Sequence, residues 1–155
     1  MKIITLTQNK DTIIDDEFYD YLSKFKWHYS TGYAKRNLWN YQSKKAKIVR
    51  MHHFILPMKK GLQIDHINGD TLDNRLVNLR YVKQKENLRN QGLRSDNTSG
   101  FKGVSKWKNG QWRAYIVVNY KQISLGIHKT KEKAAEAYNK AAKKYYKEFA
   151  RLNIC

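Results

Sequence analysis

Gln63-Ile64-Asp65-His66-Ile67-Asn68-Gly69-Asp70 sets a carboxylate beside an imidazole, and Asp73-Asn74-Arg75, Asn78-Leu79-Arg80 and Asn87 follow within reach of a short loop. An acidic residue next to a histidine offers one ligand for a hard cation and one general base for water. Those are the two needs of metal-assisted phosphodiester cleavage. Asp65 supplies the carboxylate and Asn87 an amide oxygen for the cation. His66, adjacent to Asp65 on the same strand, points to the opposite face, so its ring needs a restraint to reach the water. Asn78 is the residue placed to give that restraint across the loop. Asp-His pairs in turns also serve structure alone, and the residues by themselves leave both readings open.

The elements that must position these groups are legible around them. Residues 62–66 read as a short strand ending at His66, and Asn68-Gly69-Asp70 as a turn. Leu76 to Val82 reads as the returning strand and Lys83 to Asn90 as a polar helix, which puts Asn87 on the helix. Upstream, residues 2–6 alternate as a strand. Asp15-Asp16-Glu17 opens a helix at its positive end, with Phe18, Leu22, Phe25 and then Trp27 as core. Trp27 to Arg36 and Lys47 to Ile55 read as strands, with a turn at Thr31-Gly32 and a stop at Pro57, the only proline. His52 and His53 then alternate faces and do not chelate one ion easily.

Gln91 to Gly100 has almost no apolar content and reads as a linker. Beyond it Asn109-Gly110 signals a hairpin, Trp112 to Val118 and Ile123 to Ile127 alternate as strands, and Thr130 caps a helix. Ala134, Tyr138, Ala141, Tyr145 and Phe149 form the apolar stripe of that helix. The fold class expected is α+β. Residues 1–90 hold N-terminal strands and the site, 91–100 the linker, and 101–155 a three-stranded antiparallel sheet packed on one helix.

Charge narrows the partner. The chain of 155 residues carries a formal net charge of +18, which predicts a polyanion. Residues 1–60 hold 12 Lys/Arg against 5 Asp/Glu, residues 61–100 hold 6 against 5, and residues 101–155 hold 13 against 3. The two basic arms flank a nearly neutral centre, where the candidate carboxylate lies. The single cysteine, Cys155, excludes an internal disulfide and a cysteine-built zinc site. With no long apolar run, the expectation is a soluble intracellular, cytoplasmic protein with no membrane partner.

His66, Asn78 and Asn87, with Asp65 ahead of them, resemble the HNH endonuclease motif in its ββα-metal fold, in the variant ending in Asn found in phage and intron homing endonucleases. The resemblance runs through residues 48–90. It implies that Asp65 and Asn87 hold one divalent cation, Mg²⁺ or Mn²⁺. His66 is implied to be the general base, and Asn78 to fix the loop and the His66 ring. The implied products are 5′-phosphate and 3′-hydroxyl ends. Asp73 and Asn74 are implied to bond within the loop, and Arg75, Arg80 and Arg89 to contact DNA.

Residues 99–153 resemble the plant ethylene-response-factor (APETALA-type) DNA-binding domain. The matching stretches are Ser99-Gly100-Phe101-Lys102-Gly103-Val104, Gln111 to Ile116, Leu125-Gly126-Ile127-His128 and Ala134 to Asn139. The resemblance implies a sheet laid in the major groove of double-stranded DNA. The base-reading residues of that family are replaced here, so its code does not carry over. Lys102, Lys106, Arg113, Tyr115 and Lys121 are the candidates for contact, and Trp112 and Tyr138 for core. The expected activity is a site-specific, metal-dependent homing endonuclease that acts as a monomer and nicks one strand. The alternative is a DNA-binding regulator without catalysis.

Overall fold

The computed structural model describes residues 1–42 and 44–155. Helix and strand are mixed, 28% and 34%, in keeping with the α+β expectation. The chain divides into two compact units, Met1–Gln84 and Lys85–Cys155.

In the first unit, β1 (Lys2–Thr5) and β2 (Asp11–Ile14) form an antiparallel hairpin. Its turn rests on Gln8 and Asn9, both at positive φ. Two successive left-handed residues match the twist of the strands they join. This hairpin partner, β2, is absent from the sequence reading, because Asp11-Thr12-Ile13-Ile14 is too short to show a period. Helix α1 (Asp16–Leu22) starts where expected, although the Asp15 carboxylate accepts from the Leu76 amide at 2.8 Å and makes no cap. A three-stranded sheet follows, β3 (His28–Ser30), β4 (Tyr33–Asn40) and β5 (Lys45–Arg50), in that spatial order and with the turn at Thr31-Gly32.

The strand expected to run on to Ile55 ends at Arg50 instead. Residues His52–Ile55 form a helical turn, α2, and only Leu56 is extended (φ −120°, ψ 101°). That is the conformation imposed on the residue directly before a proline, here Pro57, more than it is a strand propensity. The core of this unit gathers Ile4, Leu6, Ile14, Leu22, Trp27, Ala34, Met51, Ile55 and Leu79, drawn from β1, β2, α1, β4, α2 and β7 and from the connections between elements. Two further strands, β6 (Gln63–His66) and β7 (Leu79–Val82), form the hairpin that carries the chemistry. The returning strand is shorter than expected: Leu76–Asn78 is a 3-10 turn, since the Asn78 amide is used to close that turn on the Arg75 carbonyl at 2.9 Å.

Helix α3 (Gln84–Asn90) begins on the last residue of the first unit and belongs otherwise to the second. Its C-terminal end is held there. The Lys102 ammonium donates to the carbonyls of Arg89 and Gln91, both at 2.6 Å, and the Arg89 guanidinium lies 5.1 Å from the centre of the Tyr146 ring. Residues 91–103 contain no helix or strand. Then β8 (Val104–Lys106), β9 (Trp112–Val118) and β10 (Lys121–His128) make an antiparallel sheet with β9 central. Asn109 and Gly110 take positive φ in the β8–β9 connection, as the Asn-Gly pair predicts.

Helix α4 (Lys131–Tyr146) covers one face of this sheet, capped by Thr130, whose hydroxyl accepts from the Lys133 amide. Ala134, Ala135, Tyr138, Ala141, Ala142 and Tyr146 are its buried positions. The stripe therefore turns toward Ala142 and Tyr146, not Tyr145 and Phe149. A positive φ at Lys147 ends the helix before Phe149, and Tyr145 stays exposed. The sheet approaches α4 so closely that a Cβ on Gly103 would lie 2.1 Å from Tyr138 Cδ2 and 2.5 Å from the Tyr115 carbonyl oxygen. Only glycine fits there.

Candidate active site

The β6–β7 register places Asp65 opposite Arg80 and His66 opposite Leu79. Successive strand residues face opposite sides, so Asp65 and His66 work in different surroundings although they are neighbours. On one side the Arg80 Nε and Nη2 both donate to Asp65 Oδ2, at 3.0 and 2.8 Å. The two side chains are 17% and 8% exposed, so this is a largely buried pair. Arg80, expected on DNA, sits on the candidate metal ligand.

On the other side the His66 ring is buried among aromatic groups. Its centroid lies 5.0 Å from that of His52 and 6.2 Å from that of Tyr33. The Arg50 guanidinium stands 4.5 Å from the Tyr33 ring centre. Burial pushes the His66 pKa below the usual histidine value. The Asn74 hydrogen bond and the charges of Asp65, Asp70 and Asp73 oppose that shift without cancelling it. His52 is pushed down to about 2, by burial first and then by His66, His53 and Arg50. Burial also lowers His53, helped by Arg50 and Lys47. All three rings are therefore neutral near pH 7, the form in which a histidine can accept a proton.

The restraint on the His66 ring comes from Asn74, whose Oδ1 is 3.2 Å from His66 Nε2. Asn78, the residue expected in that role, holds the loop after His66. Its Oδ1 accepts from the Asn68 amide at 2.9 Å, its Nδ2 donates to the Asp73 carbonyl at 2.8 Å, and its own carbonyl accepts from the Ile67 amide at 2.8 Å. Asp73 is buried, bound in a fork by Arg75 Nε and Nη2, both at 2.7 Å, and by Asn68 Nδ2 at 3.0 Å. The Arg75 hydrogen bond lowers the Asp73 pKa. Arg75 is thus already paired, one edge of its guanidinium taken by Asp73. The Asn74 segment is stitched to β2: the Ile13 amide donates to the Leu72 carbonyl at 2.9 Å and the Asn74 amide to the Ile13 carbonyl at 2.8 Å. Asn74 Nδ2 also donates to the Thr12 hydroxyl at 2.7 Å, and nothing in the local sequence signals Asn74, because His66 and Thr12 are 8 and 62 residues away.

Among the described residues no group of three or more His, Cys, Asp and Glu side chains could hold a metal ion. A Mg²⁺ site need not contain one. That ion asks for hard oxygens and keeps several waters, with substrate phosphate completing its shell. A buried carboxylate beside a neutral histidine suits this chemistry, and an Asn amide oxygen is a suitable second donor. Asn87 lies on α3.

In the second unit the alternation of β9 sorts the candidate DNA contacts. Ala114 and Ile116 face α4 and are buried, so Arg113, Tyr115 and Val117 share the open face, with Ser105, Gln122, Ser124 and Ile127 beside them by register. The Arg113 guanidinium lies 5.0 Å from the Trp107 ring and 5.5 Å from the Tyr115 ring. Lys106 and Lys121 pair with Trp112 and Val118, at the ends of the sheet and outside that face. Lys102 has two of its three N–H donors on the carbonyls of Arg89, in α3, and Gln91, just beyond it. Its pKa is lowered to about 8, by burial first and then by Arg151. Among the described residues no helix is long and apolar enough to cross a membrane.

Comparison with known proteins agrees with this arrangement. Residues 48–89 match the family model described as HNH endonuclease, which spans α2, the β6–β7 hairpin and most of α3. Protein 3.8 of Escherichia phage T7 is 36% identical over 97 residues, covering 62% of this chain and 79% of that protein. An uncharacterized HNH endonuclease of Acanthamoeba polyphaga mimivirus is 29% identical over 136 residues, 85% of this chain and 68% of that protein. A shorter stretch of 46 residues, 30% of this chain, is 44% identical to 13% of an AP2/ERF and B3 domain-containing transcription factor of Arabidopsis thaliana.

Proposed function

Because this chain belongs to one family with phage T7 protein 3.8 and carries an HNH endonuclease domain, we propose that it is a site-specific, divalent-metal-dependent DNA endonuclease of the homing type that nicks one strand. The observation that carries this reading is the buried, neutral His66 held at Nε2 by Asn74, one residue from the buried Asp65. A buried imidazole with a lowered pKa stays unprotonated at neutral pH and can act as a base.

In this reading His66 takes a proton from a water molecule, and the water oxygen attacks the phosphorus. The bond from phosphorus to the 3′ oxygen breaks, leaving a 5′-phosphate, and the departing oxygen takes up a proton to give a 3′-hydroxyl. Asp65 and Asn87 would hold one divalent cation, Mg²⁺ or Mn²⁺. Bound there, such a cation supplies Lewis-acid stabilisation of the phosphate and the departing oxygen. Arg80, beside Asp65, is placed to turn a guanidinium N–H toward a scissile phosphate, where a fixed positive charge stabilises the charge that develops. Asn78, by fixing residues 67–77, keeps His66 at the end of its strand.

The second unit would supply recognition. Its open face combines Arg113, Tyr115 and the exposed Val117 and Ile127, a mixture of a planar donor and apolar groups suited to base edges and thymine methyls. The DNA would be double-stranded and the protein a monomer. A monomer has one such site and cuts one strand.

The test is conversion of supercoiled plasmid bearing host sequence, with Mg²⁺, with EDTA, and with His66→Ala. Metal-dependent nicking that falls about 10²–10⁴-fold in the variant is the expected result, the range general-base help covers. DNA binding with no cleavage under Mg²⁺ or Mn²⁺ would point instead to a regulator without catalysis.

A further inference from the structure

The His66 ring is held by a relay that starts in the N-terminal hairpin, outside the region matched by the family model. Thr12, on β2, is completely buried, and Asn74 is 1% exposed. Thr12 Oγ1 lies 2.7 Å from the Leu72 carbonyl oxygen and 2.7 Å from Asn74 Nδ2. A carbonyl only accepts, and it is a stronger and nearer acceptor than the Met51 thioether at 3.9 Å, so the single hydroxyl proton of Thr12 goes to Leu72. Toward Asn74 the hydroxyl can then only accept. That fixes which end of the Asn74 amide faces Thr12: it is the NH₂. The Met51 thioether, a weak acceptor, lies 4.0 Å from the same Nδ2, so the NH₂ end has an acceptor on each side. The other end of the amide, Oδ1, is left facing His66 Nε2 at 3.2 Å.

An amide oxygen has no proton to give. The hydrogen bond exists only if His66 Nε2 carries the hydrogen. In a neutral imidazole one nitrogen donates and the other accepts, so Nδ1 carries the lone pair. We propose that Thr12 and Asn74 are positioning residues that set the tautomer of His66, so that Nδ1 is the nitrogen that takes the proton from water. The idea rests on the nuclease reading for its consequence, while the tautomer itself is a property of the protein alone.

The relay has a further requirement. Leu72 must present its carbonyl to Thr12, and the backbone pairing of Ile13 with Leu72 and Asn74 holds that segment in place. The N-terminal hairpin therefore helps to position the His66 ring, acting through Asn74.

The experiment is a long-range proton–nitrogen correlation spectrum of the full-length protein in mildly alkaline buffer, with the His66 signals assigned by their loss in His66→Gln. Thr12→Val keeps the shape of Thr12 and removes its hydroxyl, and Thr12→Ser restores the hydroxyl. The wild type and Thr12→Ser should show the hydrogen on Nε2, and Thr12→Val should show a mixture or a shift toward Nδ1. Under cleavage conditions Thr12→Val should lower kcat about 10–100-fold, the scale of a lost outer partner of a site histidine, with KM unchanged and Thr12→Ser restored. A wild-type ring with its hydrogen on Nδ1, or a tautomer unmoved by Thr12→Val in a protein whose backbone spectrum is intact, overturns the proposal. Wild type that carries the hydrogen on Nε2, responds to Thr12→Val and yet never cuts DNA supports the relay and rejects the nuclease reading.

Discussion

Arg80 lies directly across the β6–β7 hairpin from Asp65 and donates two N–H groups to one oxygen of its carboxylate. A guanidinium on a candidate metal ligand opposes cation binding by charge and at the same time supplies positive charge where a phosphate would dock. Arg80→Gln separates these effects. Removal of the positive charge should leave the affinity for Mn²⁺, measured by titration calorimetry, unchanged or tighter, while cleavage falls. Without metal the variant should lose about 1.5–3 kcal/mol of stability, the range for hydrogen bonds to charged groups, and added Mg²⁺ should recover part of it. Weaker Mn²⁺ binding together with unchanged cleavage would remove Arg80 from the site.

His52 makes stability depend on pH. Its pKa is about 2 in the folded protein and about 6.5 in an unfolded chain. Between those values the unfolded chain binds the extra proton, so stability is full above the unfolded pKa and is lost as pH falls below it. The slope approaches about 1.4 kcal/mol per pH unit for one such group. From about pH 7 to about pH 5 this histidine alone should cost about 2 kcal/mol. Urea unfolding at both pH values reads it. His52→Phe, which keeps a ring against Tyr33 and His66, should flatten the slope by that amount. An unchanged slope would show that His52 takes up its proton as readily in the folded protein as in the unfolded chain.

Arg113 is held between two aromatic rings on the open face of the second sheet. Stacking orients a planar guanidinium and leaves its edge for a base. Arg113→Lys keeps the charge and loses the plane. It should therefore lower the preference for a selected DNA site over scrambled duplex by about 1–3 kcal/mol. The dependence of binding on salt, which counts neutralised phosphates, should stay the same. Equal losses on both duplexes with a shallower salt slope would make Arg113 a phosphate contact.

Much of this arrangement is legible in the chain because local chemistry dictates it. The Asn109-Gly110 turn, the Thr130 cap and the alternation of Trp112 to Val118 depend on nearest neighbours, and each stands where its residues say. Asp65-His66 on a strand and the Asn68-Gly69-Asp70 turn are of the same kind. What escapes a reading of the sequence depends on partners far along the chain. Asp11–Ile14 becomes a strand because Lys2–Thr5 pairs with it. His52–Ile55 turns helical although its apolar and aromatic residues suit a strand equally well. Asn74 looks like one more polar loop residue beside Asn78, and only the fold shows that the His66 ring rests on Asn74. The family resemblance implies Arg75 and Arg80 as DNA contacts; the fold gives each a carboxylate, Asp73 and Asp65.

The seat of the Lys102 ammonium on the Arg89 and Gln91 carbonyls bears on how such a protein can be re-engineered. The polar stretch from Gln91 to Gly100 invites a splice, as the obvious place to exchange one recognition module for another. A chimera joined there would inherit α3 without the cation that neutralises its C-terminal end, and the helix bearing Asn87 would fray. A junction ahead of Gln84, the first residue of α3, keeps the helix with its own anchor. The unit of exchange is therefore the sheet together with the helix before it, and retargeting by module swapping has to respect that seam.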